Sequence, residues 1–115
     1  MPYIDVHTNS ESGDTEQALD RLIGAVADAL GKPRTITSSA VSRGPLRFKD
    51  SGDPAAWAHV WSLEPITDDQ ARKLTQDLAT LLSELFGVPA DRIWVVISGV
   101  PRNRWGTATG LMSDR

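Results

Sequence analysis

The chain contains no cysteine, which excludes disulfides, thiol nucleophiles and thiolate metal sites. Histidine is nearly as scarce. His7 and His59 are the only two, too few for a histidine metal cage, so no metal site is expected. Basic residues do not dominate: twelve Lys and Arg against fifteen Asp and Glu leave a formal charge of -3, with a pI near 5.2. Nucleic-acid binding needs a basic footprint, and none is present. No apolar run approaches the roughly 18 residues of a membrane span. The start, Met1-Pro2-Tyr3-Ile4-Asp5, has neither the basic n-region nor the apolar h-region of a secretory signal. These absences together predict a soluble, cytoplasmic protein without nucleic-acid or membrane partners. What remains is ordinary globular composition. With 115 residues, 40 % apolar and 23 % charged, the chain is expected to form a single domain over 1–115 whose core is small for its surface.

A shift of 56 residues superimposes the punctuation of the chain on itself. Leu30-Gly31-Lys32-Pro33 falls on Phe86-Gly87-Val88-Pro89, Ser42 on Ser98, and Pro45 on Pro101. Repeats of this kind predict two copies of one supersecondary unit, about 1–55 and 56–115. In the first, Tyr3 to Thr8 alternates Ile4, Val6 and Thr8 against Tyr3, Asp5 and His7, as a strand does. Asn9 to Gly13 is turn chemistry, and Asp14-Thr15-Glu16-Gln17 has capping-box spacing. Leu19, Leu22, Ile23, Val26 and Leu30 then form one helical stripe. Gly31 suits a left-handed helix stop and Pro33 forbids continuation. Thr35 to Ser42 reads as a weakly apolar strand.

The second unit repeats this pattern. Trp57 to Leu63 alternates Trp57, His59, Trp61 and Leu63 against Ala58, Val60 and Ser62. Thr67-Asp68-Asp69-Gln70 is a second capping box, followed by the stripe Ala71, Leu74, Leu78, Leu81, Leu82 and Leu85. Ile93 to Ser98 is a nearly continuous apolar run, the pattern of a strand covered on both faces. Residues 43–55 join the units, and the stretch from Gly99 reads as irregular or as a short hairpin. The prediction is an α+β fold: a pseudo-twofold β-α-β repeat with a four-stranded mixed sheet and two helices on one face. Each crossover is right-handed. The other sheet face has no cover from the chain, which predicts self-association.

With these residues in place, the chain resembles the tautomerase superfamily. The second half is similar to 4-oxalocrotonate tautomerase through Thr67-Asp68-Asp69-Gln70, Arg92-Ile93-Trp94-Val95-Val96-Ile97-Ser98 and Val100-Pro101-Arg102-Asn103-Arg104-Trp105-Gly106. The first half is similar to macrophage migration inhibitory factor through Pro2, Thr8-Asn9 and Leu30-Gly31-Lys32-Pro33. The resemblance implies a homotrimer and a general acid/base at Pro2. Removal of Met1 frees a secondary amine, and an apolar pocket lowers the pKa of such an amine toward the working pH. If Met1 is retained, the nitrogen is an amide and cannot be the base. The resemblance further implies that Lys32 binds substrate, Leu63 lines the pocket, and Trp94 and Trp105 form its wall, with Trp94 coming from a neighbouring subunit. Arg102 and Arg104, which flank Trp105, are the favoured anchors for a substrate carboxylate; Arg43, Arg47 and Lys49 are further candidates. The plainer assignments are a helix-end cation for Lys32, packing for the tryptophans, Trp57 and Trp61 above all, and solvated surface for the arginines.

The chain also departs from the superfamily. No arginine follows the first strand in Asn9-Ser10-Glu11-Ser12, and Ile66 holds the corresponding place in the second unit. Val96 stands where macrophage migration inhibitory factor has an asparagine, and its Cys-x-x-Cys is missing. Glu64-Pro65-Ile66-Thr67 lacks the arginine pair that the dehalogenase and decarboxylase branches require. The leading expectation is a cofactor-free keto–enol tautomerase of a small 2-oxo acid. The alternative is a non-catalytic trimeric binding protein of the same fold.

Overall fold

The computed structural model describes residues 1–115. The elements run β1 (Tyr3–Thr8), α1 (Thr15–Leu30), β2 (Ser38–Arg43), β3 (Ala56–Leu63), α2 (Asp68–Phe86) and β4 (Ile93–Val100), followed by the short pair β5 (Gly106–Thr107) and β6 (Gly110–Leu111). The main sheet has the order β2-β1-β3-β4. β1 and β2 are parallel, as are β3 and β4, while β1 and β3 are antiparallel. This is a mixed four-stranded sheet with both helices on one face, built from two β-α-β units as the sequence pattern predicts.

The strand alternation sorts the two faces. Ile4, Val6, Ala58 and Val60 are fully buried toward the helices, where they meet Leu22, Val26, Leu74, Leu78, Leu82 and Phe86. Each fully buried Val, Ile, Leu or Phe among them contributes about 1.5–3 kcal/mol through removal from water. The opposite face carries a network of rings. Tyr3 stacks on Trp61 at 5.4 Å, and His59 stacks on Trp61 at 3.7 Å. Trp57 meets Trp94 edge to face at 5.2 Å.

Three sequence expectations need correction. The strand read over Thr35 to Ser42 begins only at Ser38, because Pro33 starts a 3-10 turn over Arg34–Ile36. The capping box at α1 is half made: the Asp14 carboxylate accepts from the Gln17 N–H, whereas Thr67 and Gln70 complete both bonds at α2. β4 is an edge strand covered on one face within the chain. Its other face leaves Trp94 50 % and Val96 38 % exposed, so the apolar run does not mark a strand enclosed by its own chain.

Candidate functional site

The antiparallel pairing of β1 with β3 brings Pro2 and Leu63 to one edge of the sheet. Pro2 precedes the central strand β1, and its side chain is less than 2 % exposed. Its carbonyl accepts the Ser38 N–H at 3.0 Å, which ties it to the start of β2. Because β3 runs the other way, its last residue, Leu63, returns to this edge, 8 % exposed and paired with Val100 of β4. Lys32 reaches the same edge from α1. Gly31 ends that helix in the left-handed conformation, at φ 64°, and the Lys32 N–H then donates to the Ala27 carbonyl at 2.9 Å. Lys32 is half-buried. Burial first, and the Lys32 charge second, hold the chain's amino-terminal amine below its ordinary value of 8.0. That amine belongs to Met1; with Met1 in place the Pro2 nitrogen is an amide.

β4 ends at this edge as well, and the 3-10 turn Arg102–Arg104 follows it. The Arg102 guanidinium donates to the Met112 carbonyl at 2.7 Å and Arg104 donates to the Asn103 carbonyl at 2.8 Å; both residues are exposed. Trp105 is half-buried, and its carbonyl accepts the Met112 N–H at 2.9 Å, folding the tail back. Trp94 lies elsewhere. It pairs with Trp57 near the start of β4, at the opposite edge, and packs edge to face on Phe48 at 4.8 Å. One chain therefore brings Pro2, Lys32 and Leu63 together and leaves Trp94 apart from them.

Arg43, a candidate anchor in the sequence, is occupied otherwise. Its guanidinium donates to the carbonyls of Ser10, Ser12 and Gly13 at 2.8, 2.8 and 3.1 Å and lies over the Phe86 ring, which makes it a clamp on the β1–α1 loop. Lys49 donates to the Asp91 carbonyl at 2.7 Å. Two buried residues were given no role from the sequence, one behind Trp94 and one beside Leu63. Phe48, 3 % exposed, backs Trp94; a lone aromatic in a loop of glycines and charges was the available signal. Ser62 is 1 % exposed, and its hydroxyl is the one buried side-chain polar atom with no hydrogen-bond partner. Its signal was a polar residue continuing the inward series Ala58 and Val60.

The largest cleft, about 520 Å³, lies between the helices and is lined by Asp20, Arg21, Arg34 and Glu84 among others. It is polar and spanned by exposed ion pairs, Arg34–Asp20 at 2.7 Å and Arg21–Glu84 at 3.3 Å. Neither Pro2 nor Lys32 lines any of the five clefts of the single chain. No helix is long and apolar enough to cross a membrane.

Known proteins agree with this architecture. The macrophage migration inhibitory factor of Toxoplasma gondii is 28 % identical over 95 % of this chain and 98 % of that one, with a TM-score of 0.83. Pt0534 inactivated by 2-oxo-3-pentynoate is 23 % identical over 94 % of this chain and 93 % of that one, TM-score 0.83. A fused 4-OT described as a wild-type symmetric trimer is 20 % identical over 95 % and 94 %, TM-score 0.82. The last two likenesses show the fold. No curated protein sequence matches the chain. The family model described as macrophage migration inhibitory factor (MIF) matches residues 1–111, and with the two β-α-β units and the sheet order observed above, the chain belongs to the macrophage migration inhibitory factor family.

Proposed function

We propose that the chain is a cofactor-free keto–enol tautomerase of a small 2-oxo acid, with the amine of Pro2 as general acid/base after removal of Met1. The observation that carries this reading is the burial of Pro2 at the start of the central strand, with the Lys32 charge acting on the chain's amino terminus. An amine held there is shielded from water and has a cation beside it. Both effects disfavour its protonated form, so it is a free base nearer neutrality than in solvent. It takes a proton from the carbon beside the substrate carbonyl and returns it at the other end of the enol. Lys32 stabilises the enolate oxygen or the carboxylate. Leu63 and Trp105 exclude water, and Arg102 or Arg104 anchors the carboxylate by exchanging a backbone carbonyl for it.

The same reading makes the protein a homotrimer. The sheet face opposite the helices exposes Trp57, Trp94 and Val96, and an exposed apolar face of this kind needs a partner. Trp94 belongs to the site of a neighbouring subunit, because it lies at the edge away from its own Pro2. The absence of Pro2 from every cleft of the single chain is consistent with walls supplied by that neighbour. The inactivation of a structural relative by a 2-oxo acid and the trimeric state of another support the substrate class and the assembly. A non-catalytic trimeric binding protein is the second reading, favoured by Val96 in place of the family asparagine.

The test is an enol-to-keto assay over a panel of enol acids, arylpyruvate enols included, on protein whose Met1 removal is verified by mass spectrometry. Sedimentation accompanies it. Turnover by a trimer is expected. A trimer that binds these acids without turnover selects the second reading, and a monomer at micromolar concentration overturns the shared site.

A further inference from the structure

Ser62 has an unexplained hydroxyl. It is 1 % exposed and unpartnered, and leaving a buried hydroxyl unsatisfied opposes folding. Its surroundings limit what can satisfy it. In the sheet it lies between β1 and β4. On the β4 side its register partner is Gly99, which has no side chain. On the β1 side the register that sets Tyr3 opposite Trp61 and Ile4 opposite Val60 continues to set Pro2 opposite Ser62. Both are almost fully buried, and cross-strand neighbours of this kind have Cβ atoms about 4.5–5.5 Å apart. Pro2 has a second flanking hydroxyl, that of Thr37, one residue before the Tyr3–Ser38 pair on β2. The Thr37 hydroxyl already has a partner, donating to the Pro33 carbonyl at 2.9 Å. Of the two hydroxyls beside Pro2, only that of Ser62 has no hydrogen-bond partner at all.

We infer that Ser62 is a positioning residue for the Pro2 amine: once Met1 is removed, the Ser62 hydroxyl accepts an N–H of that amine and directs the nitrogen's remaining valence to the substrate. This rests on the reading of Pro2 as the base. The proton count closes. The neutral secondary amine has one N–H, held by Ser62, and one lone pair, which takes the proton from the substrate carbon. The ammonium then has two N–H groups; Ser62 keeps the first and the second returns to the substrate. An acceptor on the ammonium stabilises the charged form, so Ser62 raises the amine's pKa against the burial and the Lys32 charge that lower it.

The experiment is Ser62→Ala in protein lacking Met1, read by kinetics, by thermal melting and by NMR titration of ¹⁵N-labelled Pro2. The substitution is expected to lower kcat/KM about tenfold or more and to move the Pro2 titration midpoint down by about one pH unit. The melting temperature should fall by a few degrees in the protein lacking Met1, where the hydroxyl is paired with the amine, and hold or rise when the same substitution is made with Met1 retained, where the hydroxyl is unpartnered. An unmoved Pro2 midpoint overturns the inference, whatever happens to the rate. A wild type inactive toward every enol acid overturns the tautomerase reading instead, while the NMR midpoint still decides whether the hydroxyl and the amine interact.

Discussion

Residues 30–36 and 86–92 are two copies of one device. Each helix ends on a left-handed glycine, Gly31 at φ 64° and Gly87 at φ 65°. Each glycine is followed two residues later by a proline, Pro33 at φ -64° and Pro89 at φ -61°, that opens a 3-10 turn into a strand. The residue between them differs. In the first copy it is Lys32, half-buried near the amino terminus. In the second it is Val88, 1 % exposed and part of the core cluster. The backbones match, so the different use of the two ends comes from one side chain and from where each following sheet edge lies. β1 starts at the chain's own amine, whereas β3 starts from a linker, at Ala55-Ala56, with no amine to offer.

The most severe way to break this asymmetry is to remove what only the first unit has. Retaining Met1, or extending the chain before it, turns the Pro2 nitrogen into an amide. Loss of a general base costs typically about 10²–10⁴-fold in rate, and kcat/KM should fall on that scale. Pro2→Ala, which leaves a more mobile primary amine, should fall less. Steady-state assays of the three proteins side by side check this, and full turnover with Met1 intact would remove Pro2 from the mechanism.

A sharper comparison copies the second unit into the first. Lys32→Val should lower kcat/KM roughly tenfold to a hundredfold, the range for removing one charge-stabilising group. The melting temperature should change by no more than a few degrees, since a helix-end cation contributes about 1 kcal/mol or less. The sign of the pH effect follows from its cause. The Lys32 charge lowers the amine's pKa, so its removal raises it and the rising limb of the kcat/KM profile moves to higher pH. Burial remains, so the limb stays below that of an exposed amine. A limb that does not move would return Lys32 to a plain helix-end role.

The smallest effect tests the likeness itself. Gly31→Ala and Gly87→Ala each place a Cβ on a left-handed residue with open space around it, the only neighbour within 4.0 Å being the Ser12 hydroxyl near Gly87. Strain in the backbone is then the cost, about 1–2 kcal/mol for each. The two variants should lose similar melting temperature, a few degrees each in calorimetry. Clearly unequal losses would show that the two caps are not equivalent.

The helices and their ends were legible because their signals are local. A capping carboxylate or hydroxyl acts three residues away, as Asp14 and Thr67 do, and the apolar stripes recur every three or four residues. The strand alternation told which of Trp57, Ala58, His59 and Val60 faces the helices for the same reason. Other features escaped local pattern. The 3-10 turn after Pro33 delayed to Ser38 a strand that read as starting at Thr35. Arg43 looked like a free cation until the loop over Ser10 to Gly13 supplied carbonyls for it. Asn9 likewise holds the joint between the units, donating to the Gly52 and Asp53 carbonyls, both at 3.0 Å, and accepting from the Ala55 N–H at 2.8 Å.

By itself the sequence determined two β-α-β units, their caps, their inward faces, and a proline and a lysine at the ends of elements that run side by side. These follow from forces that act over one turn or one strand. Tertiary structure alone decided that Ser62 lies unpartnered beside Pro2 and that Phe48 is buried behind Trp94. The physical reason is sequence separation. The pairing of β1 with β3 joins residues such as Ile4 and Val60, and no local preference of either segment encodes the register in which they meet. That register comes from closing a common core around Ile4, Val6, Ala58 and Val60 under both helices, and it also sets what stands next to the amino-terminal proline.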